Sequence, residues 1–170
     1  MAQVFVSIGS NIERDYHITQ ALDALAAHFG ALRLSSVYES EAVGFDGDNF
    51  FNLVAEFATA LSVGELSRLL KQIEDENGRC RQGPRFSGRT LDIDILTYDQ
   101  RVGEIDGVEL PRDEILKNAF VLLPLAELAP DEMHPRQQQS YATLWQAYDS
   151  TKQKLWPVEY RWRELALPSL

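Results

Sequence analysis

The chain has 170 residues, 45% hydrophobic and 25% charged, values ordinary for one folded domain with its own core. A net charge of −10 argues against a non-specific nucleic-acid binder, which needs a basic face, though not against a local basic site for a small anion. One cysteine, Cys80, excludes an intrachain disulfide; three scattered histidines (His17, His28, His134) have no zinc-like spacing; and with no signal peptide and no apolar run of membrane-spanning length the expectation is a cytoplasmic domain with no membrane partner.

Val4 to Ile8 reads as a first strand, closed by Gly9-Ser10-Asn11. From Tyr16 to Phe29 the apolar residues Ile18, Leu22, Leu25, Ala26 and Phe29 recur at helical spacing, with Gly30 as a C-cap. Leu32 to Tyr38 alternates like a strand, a glycine- and aspartate-rich loop follows, and Phe50 to Ala60 reads as another strand. Ser62 and Glu65 form a capping-box pattern that opens a second helix, with Leu66, Leu69, Leu70 and Ile73 on its core face and an end near Gly78. A loop from Arg79 to Thr90 leads into the strand Leu91 to Tyr98. Beyond it come a hairpin between Gly103 and Gly107, a short apolar helix over Phe120 to Leu128 and an amphipathic helix over Ser140 to Tyr148. The first six elements run β-α-β-β-α-β. That order predicts an α+β, ferredoxin-like domain: an antiparallel sheet with helices packed on one face, plus a hairpin and helical additions toward the C-terminus. Residues 1–170 read as one domain, with 150–170 a tail for packing or an oligomer contact, in a monomer or weak homodimer.

The stretch "RFSGRTLDIDIL" carries the chemistry. Asp92 and Asp94 are two apart on a strand and share a face, while Leu91, Ile93 and Ile95 share the other. Two carboxylates that close repel unless a cation joins them, and an oxygen-only pair suits Mg²⁺, which takes further ligands from phosphates. A solvent-facing pair on an edge strand explains D-x-D equally well. The preceding loop shifts the balance: Arg79, Arg81, Arg85 and Arg89 lie in a stretch with no acid, and the arginine fork suits phosphate oxygens. Together they point to a polyphosphate and Mg²⁺ held between carboxylates and arginines. No Walker-type phosphate loop is present.

These residues, with "IEDENGRCR" before them, resemble the motif of the 6-hydroxymethyl-7,8-dihydropterin pyrophosphokinase family. The resemblance extends to "VSIGSN", "VYES", "FFNLVAEFAT" and "NAFVLLPLAELAP". It implies transfer of pyrophosphate from ATP to the pterin hydroxymethyl oxygen, releasing AMP, with two Mg²⁺ ions on Asp92 and Asp94. It also implies Arg85, Arg89 and Asp94 as catalytic residues, Asp94 being the candidate proton acceptor. Glu74, Arg81, Arg89, Ile95 and Arg112 would face ATP. Asn52 would read the pterin edge, Phe50 and Phe120 would sandwich its ring, and Val43 and Gly44 would complete the pocket.

The chain departs from the family pattern at Phe50, where a tyrosine is common, and in two longer stretches. Arg85-Phe86-Ser87-Gly88-Arg89 stands where Arg-Trp-Gly-Pro-Arg is usual. Pro111-Arg112-Asp113 and Asn118 replace Pro-His-Tyr and an arginine, and Gly107 and Glu109 replace an arginine and a threonine. Asp113 would put an anion near the phosphates, to repel them or help hold a metal. The alternative expectation is therefore a divergent paralogue that binds a pterin-like ligand with weak or altered donor use. A third, an RNA-binding domain of similar topology, is disfavoured by the acidic charge.

Overall fold

The computed structural model describes residues 1–41, 48–78 and 90–170. The elements are β1 (Ala2–Ser10), α1 (Arg14–Phe29), β2 (Arg33–Leu34), β3 (Val37–Ser40), β4 (Phe50–Thr59), α2 (Val63–Glu76), β5 (Asp92–Tyr98), β6 (Gly103–Ile105), β7 (Val108–Leu110), α3 (Glu114–Lys117), α4 (Ala119–Leu128), α5 (Tyr141–Ala147), β8 (Leu155–Val158), β9 (Arg161–Trp162) and β10 (Leu165–Ala166). The main sheet has the order β5-β1-β4-β3-β8, with β2 also paired to β4. Every pairing is antiparallel, and β4 inserts between β1 and β3. This is the ferredoxin-like arrangement that the element order predicts, extended by β8 at one edge.

Alternation along the strands splits the apolar residues between two cores. Val4, Val6 and Ile8, with Leu53, Ala55, Phe57, Ile93 and Ile95, face α1 and α2. Phe5, Val54 and Leu96 face the other way and are covered by α4 and α5. The sheet is thus covered on both faces, where the six-element pattern placed helices on one. The cause is α4, apolar nearly all round (AFVLLPLAEL), as a helix buried between a sheet and a further helix must be.

Local chemistry sets the boundaries. Ser62 Oγ accepts from Glu65 N and Glu65 Oε1 accepts from Ser62 N, closing the capping box at the start of α2. The β6–β7 hairpin turns at Asp106-Gly107, both at positive φ, and Asp106 Oδ2 accepts from Gly64 N at 3.0 Å, so the hairpin tip caps α2 as well. The segment Leu32 to Tyr38 is two strands rather than one. Buried Ser35 interrupts it: its hydroxyl accepts from Val54 N, and Ser36 gives its N–H and hydroxyl to Glu127. At the C-terminus, Tyr160 and Trp162 are buried against α1, with Trp162 Nε1 donating to Asp23 and Tyr160 Oη donating to Asp15 O. Ser169 bridges to Leu34.

Candidate active site

The strand β1 runs to Ser10, two residues past its predicted end, and this extension builds the floor of the site. Gly9 pairs with Asn52 on one side and with Asp92 on the other, and Asn52 pairs with Tyr38. Residues directly opposite on paired strands share a face, so Asp92, Gly9, Asn52 and Tyr38 form one row. Asp94 opposes Ser7 in the next row of that face. Gly9 leaves a bare backbone between the carboxylate and the amide, about 10 Å apart at two strand spacings. A Cβ built on Gly9 would lie 2.8 Å from Asn52 Oδ1, closer than real contacts permit. Gly9 is a site residue that sequence reasoning left without a role. With the strand expected to end at Ile8, Gly9 fell outside it and did not read as a strand glycine, the kind that marks close approach of another group.

Asn52 is buried, and its Nδ2 donates to Ser40 Oγ at 2.9 Å, which leaves the amide oxygen to face the floor. Phe50 precedes Asn52 by two and shares its face. Glu127, bonded to Ser36, fixes the C-terminal end of α4 over the start of β3. At the other end of the helix Ala119 N donates to Gln153, two residues before Leu155, which pairs with Ser40 opposite Phe50, so the first turn of α4, with half-buried Phe120, lies toward the sheet end that holds Phe50. Val43 and Gly44 lie outside the described residues, as do Arg79, Arg81, Arg85 and Arg89. The chain that carries those arginines leaves at Gly78 and returns at Thr90, two residues before Asp92.

A cavity of about 620 Å³ opens along the edge strand β5, between α2 and the β6–β7 hairpin. Glu74, Asp92, Asp94, Ile95 and Arg112, all expected on the nucleotide or metal side, line it; Phe50, Asn52 and Phe120 do not. Ile95 also belongs to the core on the α1 and α2 side, so it forms wall rather than a polar contact. Glu74 is buried on α2, and its Oε2 accepts from Ile93 N at 2.7 Å, satisfying an edge N–H of β5. Among the described lining residues Asp106, Glu109 and Asp113 bring the carboxylates to six, against two cations, Lys71 and Arg112. A polyphosphate needs more positive charge than that, so the described walls alone do not hold one.

The electrostatics of Asp94 express the same deficit. Burial, then the neighbouring Asp92, push its carboxyl up to about 7; Arg112 pulls the other way, and Glu114 and Glu74 push further. Arg112 Nη2 stands 3.7 Å from Asp94 Oδ2. Burial works against the Arg112 charge, yet Asp94 and Glu114 outweigh it and raise its pKa. Among the described residues no group of three or more His, Cys, Asp or Glu is arranged to hold a metal. What the sheet supplies is a pair of side-by-side carboxylates, oxygen donors only, with Arg112 beside Asp94. That donor set fits Mg²⁺, which binds through one or two carboxylates and completes its shell from phosphate and water.

The rewritten segment is tied together internally. Glu114 Oε1 accepts from Arg112 Nε at 3.1 Å and from Arg112 Nη2 at 2.5 Å. Glu114 Oε2 accepts from Asn118 Nδ2 at 3.2 Å. Asp113 is paired with Lys117 at 2.8 Å, both exposed, and the hydrogen bond from Lys117 holds its carboxyl below the usual range. Asp113 lines the cavity, but its charge has a local partner.

A family model described as 7,8-dihydro-6-hydroxymethylpterin-pyrophosphokinase (HPPK) matches residues 5–130. The chain belongs to this family. Relatives of the pyrophosphokinase family include the 2-amino-4-hydroxy-6-hydroxymethyldihydropteridine pyrophosphokinase of Bacillus subtilis, 37% identical over 128 residues, covering 73% of this chain and 76% of that protein. The protein of the same name from Aquifex aeolicus is 35% identical over 137 residues, 79% of this chain and 85% of its own. Among solved structures, a Plasmodium falciparum HPPK-DHPS with pterin and p-hydroxybenzoate matches with a TM-score of 0.70 at 14% identity, covering 88% of this chain and 43% of that one. An HPPK-DHPS in complex with substrates matches at 0.69, also at 14%. The chain spans less than half of those solved chains, and at such identity they speak for the pyrophosphokinase fold alone.

Proposed function

We propose that this chain transfers the terminal pyrophosphate of ATP to 6-hydroxymethyl-7,8-dihydropterin in folate biosynthesis. The observation that carries the reading is the row Asp92–Gly9–Asn52 within a chain of this family. It sets a carboxylate pair and a ring-reading amide on one face with a bare backbone between them. A flat bicyclic ring held by Asn52 and stacked between Phe50 and Phe120 extends its hydroxymethyl group toward Asp92 and Asp94. The hydroxyl oxygen attacks the β-phosphorus of ATP, the bond to the α-phosphate bridging oxygen breaks, and AMP leaves with that oxygen. The proton of the attacking hydroxyl passes to Asp94 or to water.

Asp92 and Asp94 are the residues to hold two Mg²⁺ ions, which when bound supply charge neutralisation for the phosphates and lower the pKa of the attacking hydroxyl. Arg112 adds a fixed positive charge beside Asp94, and Lys71 another on the α2 wall. Arg85 and Arg89 supply the charge that the described walls lack, and Arg81 joins them on ATP; Val43 and Gly44 complete the ring pocket. Glu74 serves the nucleotide side by holding the β5 edge in place rather than by touching a phosphate. The chain acts as a cytoplasmic enzyme, monomeric or weakly dimeric, with residues 150–170 packed on the same domain. No described helix is long and apolar enough to cross a membrane.

The test is product analysis. Protein, ATP, Mg²⁺ and the reduced pterin should yield AMP and pterin pyrophosphate in equal amounts. No AMP above background at high enzyme concentration contradicts the reading.

A further inference from the structure

A hydrogen-bonded chain of side chains links the phosphate side of the site to a segment outside the matched family region. Asn118 Oδ1 accepts from Gln153 Nε2 at 2.9 Å, and Gln153 Oε1 accepts from Ala119 N at 2.8 Å. Ala119 is the first residue of α4, immediately before Phe120. Asn118 in turn donates to Glu114, which holds Arg112 through both Nε and Nη2, and Arg112 faces Asp94. Gln153 is half-buried, lies just before β8, and falls beyond residue 130, where the family match ends.

The geometry has two consequences. A first-turn N–H of a helix has no intrahelical acceptor, and Asn118 itself makes no side-chain cap, so Gln153 satisfies the donor that fixes where α4 starts. The guanidinium of Arg112 has several rotamers open to it, and Glu114 selects one. Both bonds to Arg112 fall on one carboxylate oxygen, and Asn118 holds the other. Glu114 therefore cannot turn without losing Asn118, and Asn118 is anchored by Gln153. Position 118, where the family pattern has an arginine, carries here the middle link of a strut.

We propose that Gln153 is a positioning residue: through Asn118 and Glu114 it sets the aim of Arg112 at the nucleotide, and through Ala119 N it sets the seat of Phe120 on the pterin. The inference rests on the proposed reaction for the identity of the two ligands. Gln153 itself touches neither.

Calorimetry on the full chain tests it, with MgATP and the reduced pterin titrated separately. Gln153→Ala is expected to weaken each ligand roughly three- to tenfold, the scale of one lost hydrogen bond. In an Arg112→Ala background the same substitution should leave ATP affinity unmoved and still weaken the pterin. Gln153→Glu keeps an acceptor for Ala119 N and removes the donor to Asn118. It should hold pterin affinity near that of the parent while lowering ATP affinity, a split that general destabilisation would not give. This variant carries the test if Gln153→Ala does not fold. Affinities within twofold of the parent in both variants, or an ATP loss undiminished in the Arg112→Ala background, overturn the inference. A parent chain that binds both ligands but makes no AMP sinks the proposed reaction and leaves this measurement standing; one that binds neither overturns both.

Discussion

Asp92, Gly9 and Asn52 are held in one row by three paired strands, whereas Arg112, Glu114 and Asn118 stand on a four-residue helix and the residues that flank it, bonded to one another. In the strand-built half Asp92, Asp94 and Asn52 match the family pattern that the sequence resembles, and Phe50 stands for its usual tyrosine. The helix-and-turn half has exchanged its usual residues and compensated with internal bonds. A sheet register moves as a unit, so one position cannot drift without turning neighbours to the wrong face. A short surface helix has no such constraint and can rewire its side chains while the backbone stays put.

Substitutions in the two halves should therefore differ in size and in kind. Asp94→Asn removes a metal-holding charge and is expected to lower turnover with Mg²⁺ roughly 10²–10³-fold, measured as initial rates of AMP release. Turnover within tenfold of the parent would place the metals elsewhere. Gly9→Ala drives a methyl into Asn52 Oδ1. An overpacking cost of about 1–3 kcal/mol corresponds to roughly 5- to 150-fold weaker pterin binding, with ATP affinity unchanged, read by titration of each ligand. Equal loss of both ligands would show that the sheet had shifted rather than that the floor was filled. Arg112→Ala should raise the KM for ATP about tenfold and leave the KM for the pterin within twofold. The smallest effect belongs to Asp113→Asn. The pair with Lys117 is solvent-exposed, and the KM for ATP should change by less than about twofold. A marked gain in ATP affinity would mean that Asp113 does repel the phosphates.

The same pair of aspartates gives a pH signature in the metal-free chain. Asp94 is pushed up from 3.8 to about 7 by burial and by Asp92. Between those values the folded chain holds a proton that the unfolded chain has released. Stability contributed at this site is therefore present in acid and falls as pH rises toward about 7. Asp94→Asn removes that slope. In EDTA at about pH 8 the variant should be more stable than the parent by roughly 1–3 kcal/mol in urea melts, and near pH 4 the difference should vanish. A parent whose stability rises across this window would contradict the environment assigned to Asp94.

Much of this was legible in the sequence because it is local. The i, i+2 spacing put Asp92 and Asp94 on one face and Ile93 and Ile95 on the other, and the structure keeps that division. The Ser62–Glu65 capping box and the apolar run of α4 were likewise read from neighbours in the chain, and the hairpin expected between Gly103 and Gly107 runs on to Leu110, turning at Asp106-Gly107. What was missed depends on partners far away. The seat of Gly9 beside Asn52 follows from a strand pairing that no local pattern encodes. Helix α4 reads as apolar, yet only the fold shows that it covers the second face of the sheet. The split after Leu34 is set by Ser35 meeting Val54 and Ser36 meeting Glu127. Gln153 is 35 residues from Asn118, and nothing in its surroundings marks it as more than a tail residue. For Asp113, proximity to the expected phosphates could be read but its pairing with Lys117 was overlooked, although the i, i+4 spacing announces it.

If the strand-built carboxylate pair and the rewired segment form one nucleotide site joined by metal, ATP binding must depend on both. Titration of ATP with and without Mg²⁺ into the parent and into Asp94→Asn tests this most directly. Saturable binding that requires Mg²⁺ and is lost in the variant is expected. ATP binding that is indifferent to Mg²⁺, or that survives Asp94→Asn unchanged, would contradict it.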